Sequence, residues 1–264
     1  MRVALLSDIH GNLTALDAVL ADIAHRGGAD EYWILGDLVA TGPQPVEVLE
    51  RLVTLPQVRF ARGNTDRYVT DGDRPPPSQT EALNNPDTLA QVVQIAEGFA
   101  WTQGAVTAHG WYSFLKDLPL ETRTTLPDGT RVLGVHASPG RDDGKGVHPH
   151  LSDDDLTALV SGADADLIFV GHTHWPLSRE INGVRVVNLG GVSNPIEPSL
   201  KATYVLLEAT ASGYHLAHYQ TDYDRERVIA LTHERALPTK EYISALLRGE
   251  HVRAWGKPKL AQHP

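Results

Sequence analysis

Seven side chains able to bind a divalent cation occur in a fixed order along the chain. They are Asp8 and His10 in Ser7-Asp8-Ile9-His10-Gly11-Asn12, Asp37 in Gly36-Asp37, Asn64 in Gly63-Asn64, His136, and His172 and His174 in Gly171-His172-Thr173-His174. Carboxylate, imidazole and amide-oxygen donors of this kind suit two divalent ions held close together, which is the equipment of a binuclear metallohydrolase. One Asp after a strand is ordinarily a turn or cap residue, and one His near a strand end is ordinarily a satisfied polar group. The inference therefore rests on the ordered set and not on any single position.

Ligands for a metal pair must be held rigidly, and the ends of strands in an α/β sheet can aim them into a crevice. Short apolar runs precede each group: Val3–Leu6, Tyr32–Leu35, Val58–Ala61, Val132–Val135 and Leu167–Val170. These read as strands buried on both faces. Gly11, Gly36, Gly63 and Gly171 let the chain turn sharply where strands stop. The spacing of Asp8 with His10, and of His172 with His174, suits a strand end on which alternate side chains share one side.

Between the strands, Asn12 is placed to cap a helix running to Ala24, and a second helix follows Pro45 from Val46 to Leu52. Residues 79–117 read as two helices containing Trp101, Trp111 and Phe114, within a helical insertion spanning about 71–118. Pro127-Asp128-Gly129 and Asn182-Gly183 mark hairpins, Ser152 opens a helix to Val160, and further strands are expected at 202–208 and 214–220. A last helix spans roughly 239–248. The expectation is a single domain over 1–249 with a polar tail from 250 to 264.

Composition sets bounds. With 264 residues and 41% apolar content the chain can bury a large core. It has no cysteine, which excludes a disulfide framework, thiolate metal ligands and a cysteine nucleophile. No apolar run approaches membrane-spanning length or a signal-peptide core, so a cytoplasmic protein with no membrane partner is expected. A formal charge of -10 argues against duplex nucleic acid as a partner. An anionic substrate is still admissible, because two divalent ions outweigh Asp8, Asp37 and a bridging hydroxide and leave the site at about +1.

The five ordered motifs, spread over residues 1 to about 220, resemble those of the calcineurin-like metallophosphoesterases, in particular a bacterial branch of small phosphodiesterases that open with Ser-Asp-Ile-His-Gly-Asn. The resemblance implies an α/β fold, a four-layer αββα sandwich of two mixed β-sheets flanked by helices, with the metals at the loop edge between the sheets. It implies that Asp8, His10 and His174 hold one ion, that Asn64, His136 and His172 hold the other, and that Asp37 bridges them. The activity implied is phosphoesterase, with a small phosphodiester as the expected substrate, attacked by a metal-bridging hydroxide. Manganese, iron, zinc, cobalt and nickel suit such donors about equally.

One departure concerns the leaving group. Many relatives carry His directly after the Asn, where it assists the departing oxygen; here the residue is Thr65, whose hydroxyl is far too weakly acidic for that task. Modest turnover and a preference for good leaving groups are expected. Asp66 joins Asp37 and Asn64 as a catalytic candidate, able to orient Asn64 or a water. Asn12, Arg62, Thr65 and Arg67 are the substrate-binding candidates, the arginines because a guanidinium grips phosphate oxygens. His109, His148 and His150 are candidates for the missing acid. Asn188 to Ser193 resembles the family's Asn-Pro-Gly-Ser loop and could offer backbone amides.

The stretch Val39 to Pro43 lacks the arginine found after Gly-Asp in protein phosphatases of the family, which disfavours a phosphoprotein substrate. Phosphomonoesters and dinucleoside polyphosphates are alternative substrates. A reading of another class is a non-catalytic protein-binding scaffold, as in the retromer subunit of this fold. Oligomeric state, including a homo-oligomer, is left open by the sequence.

Overall fold

The computed structural model describes residues 1–196 and 198–250, so the expected tail beyond Glu250 lies outside the described residues. Two five-stranded sheets face each other. The first contains β1 (Arg2–Leu6), β2 (Glu31–Leu35) and β3 (Val58–Ala61), with the order completed by β9 (Ala202–Thr210) and β10 (Gly213–Thr221) as β10-β9-β1-β2-β3. The second contains β4 (Glu121–Thr125), β5 (Arg131–Val135), β6 (Leu167–Val170), β7 (Leu177–Ile181) and β8 (Val184–Asn188) in the order β4-β5-β6-β8-β7. Each sheet has two parallel and two antiparallel strand pairings, so both are mixed: in the first only β9 runs against the other four strands, and in the second β4 and β7 run against the other three.

Two-residue alternation along the strands sets the layers. On β1 and β2, Val3, Leu5, Trp33 and Leu35 meet Val132, Leu167, Phe169 and Val187 of the second sheet. The intervening Ala4, Leu6, Tyr32 and Ile34 face outward onto α1 (Leu13–His25) and α2 (Pro45–Leu52). Leu133, Val135, Ile168 and Val170 do the same on the other side, under α7 (Asp153–Val160). The result is the expected αββα sandwich. Burial on both faces explains why these strands read as continuous apolar runs.

The insertion is more divided than the two helices expected. It contains α4 (Gln79–Asn84), a 3-10 turn at Pro86–Thr88, the 20-residue α5 (Leu89–Ala108) and α6 (Tyr112–Lys116). Asn85 and Pro86 end the first helix, since the residue before proline avoids helical torsions. Phe99, Val106 and Leu115 join the outer core of the first sheet, and Trp111 and Phe114 pack against it. Two helices have no counterpart in the sequence reading: α3 (Asn64–Asp71) and α8 (Arg225–Glu234), the latter preceding α9 (Lys240–Leu247). Among the described residues no helix is long and apolar enough to cross a membrane.

Candidate metal centre

All seven candidate ligands lie at the carboxyl ends of β1, β2, β3, β5 and β6, on one edge of the two sheets. They do not, however, continue strand geometry. Asp8, His10, Asp37, His172 and His174 adopt φ of 56°, 50°, 56°, 68° and 58°. The expected alternation of side chains along an extended strand end is therefore replaced by left-handed turns. Each such residue costs about 1–2 kcal/mol, a cost opposed here by fixed backbone partners. Asp8 N donates to Gly36 O at 3.0 Å, His10 N to Asp37 O at 2.9 Å, and Ser193 N to Asp8 O at 2.9 Å. Of the glycines expected to turn the chain, Gly63 instead supplies clearance: a Cβ there would fall 2.1 Å from Asp37 N.

These turns gather the donors into one buried cluster. Asp8 Oδ1 lies 3.2 Å from His174 Nε2 and 4.0 Å from Nε2 of both His10 and His136. Asp37 sits between two imidazoles, with Oδ2 3.6 Å from His10 Nε2 and Oδ1 3.4 Å from His136 Nε2. Asn64 Oδ1 is 3.1 Å from His136 Nε2 and 2.9 Å from His172 Nδ1. Two three-residue groups have donor atoms within 4.8 Å of one another: Asp8, His10 and His174, and Asp8, Asp37 and His136. Asp8 thus reaches toward both halves of the cluster, although the resemblance assigns it to one ion. The second group contains no Asn64 or His172, which meet His136 directly.

The hydrogen bonds of the four histidines decide whether a cation belongs here. His10, His136 and His174 turn Nδ1 to the carbonyls of Ala40, Leu35 and Asn194 at 3.1, 2.7 and 2.8 Å, and His172 turns Nε2 to Gly144 O at 2.8 Å. A carbonyl only accepts, so each of those nitrogens carries the proton. In each neutral ring the opposite nitrogen is then a lone pair aimed into the cluster, toward carboxylates, the Asn64 oxygen or another imidazole; His10 Nε2 and His174 Nε2 are 3.3 Å apart. Asp8 Oδ2 is satisfied by Ser7 Oγ at 2.7 Å and His172 N at 3.0 Å, whereas buried Asp8 Oδ1 has no hydrogen-bond partner. An array of acceptors facing acceptors fits metal ions.

The charges respond accordingly. Burial opposes ionisation of Asp8, yet His174 and His136 hold its carboxyl at about 2. Burial likewise opposes the charge on Asp37, which His136 and His10 nevertheless keep well below the usual carboxylate range. Burial disfavours protonated His136, but Asp37 lifts it to about 10, and Asp8 lifts His174 against the same opposition. His10 and His172 are pushed down, chiefly by burial. Without metal, protons on two imidazoles supply the positive charge that the cluster demands.

The remaining candidates stand around the cluster. Asp66 is fully buried and accepts from the backbone N–H of Asp37, Leu38 and Gly63, each at 2.9 Å, tying the Asp37 turn to the Asn64 turn. Burial, then the Asp37 charge, push its carboxyl up to about 7. Thr65 N donates to Asp37 Oδ1 at 2.9 Å, while its buried hydroxyl has no partner. Asn12 caps α1 through Ala15 N and donates to Ser193 Oγ at 3.0 Å. Arg62 and Arg67 are both bound to Asp142, through Nε at 2.9 and 3.0 Å, and Arg67 also meets Asp143 and Asp73.

His109 Nδ1 is bound to Ala105 O in its own helix, and the His148 and His150 rings lie 6.3 Å from each other. The amides of Leu189, Gly190, Val192 and Ser193 are spent on Val170 O, Asn188 Oδ1, Ser7 O and Asp8 O. That loop braces the Asp8 turn, where the sequence suggested donors for substrate. Asp142 and Asp143 escaped the sequence reading, because their partners Arg62 and Arg67 lie 75 to 80 residues away in sequence and no local pattern marks the pairing.

The family model for a calcineurin-like phosphoesterase superfamily domain matches residues 1–212. An uncharacterised protein of Methanocaldococcus jannaschii is 27% identical over 251 residues, which are 89% of this chain and 93% of that protein. A metallophosphoesterase of Sphaerobacter thermophilus superposes with a TM-score of 0.73 at 25% identity, covering 94% of this chain and 98% of its own. The symmetrical bis(5'-nucleosyl)-tetraphosphatase of Serratia proteamaculans is 39% identical over 70 residues, and the match spans only 25% of its length.

Proposed function

The chain belongs to the calcineurin-like phosphoesterase superfamily and is a metal-dependent phosphoric ester hydrolase, and from that premise we propose that it is a phosphodiesterase using two divalent ions on a small anionic ester. Asp8, His10 and His174 would hold one ion, Asn64, His136 and His172 the other, with Asp37 shared. Bound there, the pair would supply Lewis-acid stabilisation of phosphoryl oxygens and a water acidified toward neutrality. The observation that carries this reading is the set of four imidazoles whose outer nitrogens are committed to carbonyls, while the inner ones of His10, His136 and His174 face the carboxylates of Asp8 and Asp37 and that of His172 faces the Asn64 oxygen.

The chain's own contribution is positional. Ser7 and the His172 amide occupy Asp8 Oδ2 and leave Oδ1 turned inward. Asp66 anchors the Asp37 and Asn64 turns together. Asp8, His10, Asp37, Asn64 and His136 are buried, which strengthens the electrostatic contacts made among them. A dinucleoside polyphosphate as substrate is the second reading, favoured by the 70-residue match to the tetraphosphatase.

The test is hydrolysis of an activated aryl phosphodiester after reconstitution with manganese, in parallel with a panel of monoesters, cyclic diesters and dinucleoside polyphosphates. Activity that follows metal content and collapses in Asp37→Asn supports the reading. An inert metal-loaded protein, with no rate lost in Asp37→Asn, would leave a protein-binding scaffold in its place.

A further inference from the structure

Of the cations around the cluster, Arg62 and Arg67 are neutralised by Asp142, Asp143 and Asp73. Arg141 and Lys145, on the loop across from them, are exposed and form no ion pair among the described residues. We propose that the turn from Arg141 to Gly146 is a second anion subsite, which receives a phosphate linked to the one being hydrolysed and so favours substrates with two or more phosphates in a row. This rests on the phosphoesterase reading and deepens it.

The loop is built onto the metal-proposed residues. Gly144 O accepts from His172 Nε2 at 2.8 Å. Gly146 lies so close that a Cβ on it would fall 2.7 Å from Thr173 Cγ2 and 2.8 Å from His172 Cδ2. Lys145 is held between these two contacts. Arg141 sits at the same turn, with Nη1 3.9 Å from the place where a Cβ on Gly144 would stand.

The turn is also braced from beneath. Asp142 is only 6% exposed and is gripped by both arginines, while Asp143 accepts from Arg67 and from Tyr68 Oη. Arg67 and Tyr68 belong to α3, the helix that begins with Asn64. The two acidic residues are therefore consumed in fixing the loop, and the two basic residues flanking them are left over for a ligand. A guanidinium and an ammonium on a pinned turn recognise phosphate without first paying to order the loop. The bond from His172 to Gly144 O, between the two basic residues in sequence, sets the turn on the His172 side of the cluster, where a phosphate linked to the reacting one would extend.

The test is calorimetric binding of inorganic pyrophosphate and orthophosphate to the manganese-loaded protein, with free manganese matched in both solutions. The wild type is expected to bind pyrophosphate at least about tenfold more tightly than orthophosphate, and the double variant Arg141→Ala, Lys145→Ala to lose most of that ratio. Arg131→Ala, at the opposite end of β5 from His136, controls for the loss of a surface cation away from the turn and should keep the ratio. Equal weakening of both anions, no change in either, or the same loss in Arg131→Ala overturns the subsite. Failure of the wild type to hydrolyse any ester would instead count against the phosphoesterase reading, and the binding ratio is read independently of it.

Discussion

His172 Nδ1 lies 2.9 Å from the amide oxygen of Asn64, although the ring's proton is committed to Gly144 O at the other nitrogen. Neither facing atom has a hydrogen to offer. Two acceptors at this separation repel unless a cation lies between them or the ring takes a second proton, and burial holds His172 toward its neutral form.

The first prediction follows from that contact. Asn64→Leu relieves that repulsion at similar size but also takes the Asn64 oxygen away from protonated His136 Nε2, 3.1 Å from it, so the stability of the metal-free protein should change by no more than about 1 kcal/mol in either direction. The same substitution should reduce bound metal and shrink the rise in melting temperature produced by manganese. Thermal unfolding with and without EDTA, combined with metal analysis, measures both effects. A large loss of stability in the metal-free form would show that Asn64 makes a favourable contact there.

Proton traffic gives the second prediction. In the metal-free protein His136 is lifted from 6.5 to about 10. Its contribution to stability is therefore complete below pH 6.5 and is lost as pH rises through about 10. His174 is raised in the same direction. A metal must displace these protons, so apparent affinity should climb with pH across this window, by up to about tenfold per unit for each proton released. Calorimetry in buffers of different ionisation enthalpy reads the release directly. Heats that do not depend on the buffer would contradict it.

How much of this was legible in the sequence depends on the range of the interaction involved. The strands were legible because Val3 to Leu6 and Leu167 to Val170 are buried on both faces, and β7 pairs with β8 where Asn182-Gly183 predicted a hairpin. Helix α3 was not, because Asn64-Thr65-Asp66-Arg67 is polar. It is stabilised by Asp66 in the third helical position and by Arg67 and Tyr68 reaching Asp142 and Asp143, contacts 75 and 76 residues away in sequence. The start of α8 did carry a local signal, Asp224 accepting from Arg227 N, but no sustained apolar period follows it. For the site, side-chain types and order were readable, whereas the left-handed torsions of Asp8, His10, Asp37, His172 and His174 were not, since glycine is the residue that usually adopts them.

Asp66 gives the third prediction. Its two oxygens accept three backbone N–H groups, so in Asp66→Asn at least one of them faces an amide N–H instead. The expected cost is about 1–3 kcal/mol in denaturant unfolding of the metal-free protein, with weaker metal retention because the Asp37 turn loosens. If Asp66 acts by position, excess manganese should restore most of kcat. A rate that stays low at saturating metal would assign Asp66 a direct part in the chemistry.

The fourth prediction concerns Asp142, which joins Arg62 and Arg67 to the loop supporting His172. Asp142→Ala leaves two partly buried guanidinium groups without their main carboxylate. Stability should fall by about 3–5 kcal/mol if the site cannot rearrange, and less to the extent that water reaches the arginines. Metal affinity should fall about 10–100-fold, the size expected when the support of a ligand is removed. Unfolding curves and metal titration test the two parts separately. Unchanged affinity would mean that Gly144 O holds His172 without help from the arginines.

Thr65 supplies the last prediction, about the bond that breaks. Its amide is bound to Asp37 Oδ1 at 2.9 Å, which fixes the residue beside the cluster, yet a threonine hydroxyl cannot deliver a proton near neutral pH. The leaving oxygen must then depart with most of its negative charge unless the metals or a water neutralise it. A positioned general acid is worth roughly 10²–10⁴ in rate, and its absence should be felt most by esters whose leaving groups are poor. Rates for a series of aryl and alkyl phosphodiesters should accordingly fall steeply as leaving-group pKa rises, with nitrophenyl esters outpacing alkyl esters by at least about 10². The series should be measured under single-turnover conditions, so that product release does not mask the trend. A flat dependence would require an acid in contact with the leaving group, and the search for it would begin with His148 and His150 of the loop that holds His172.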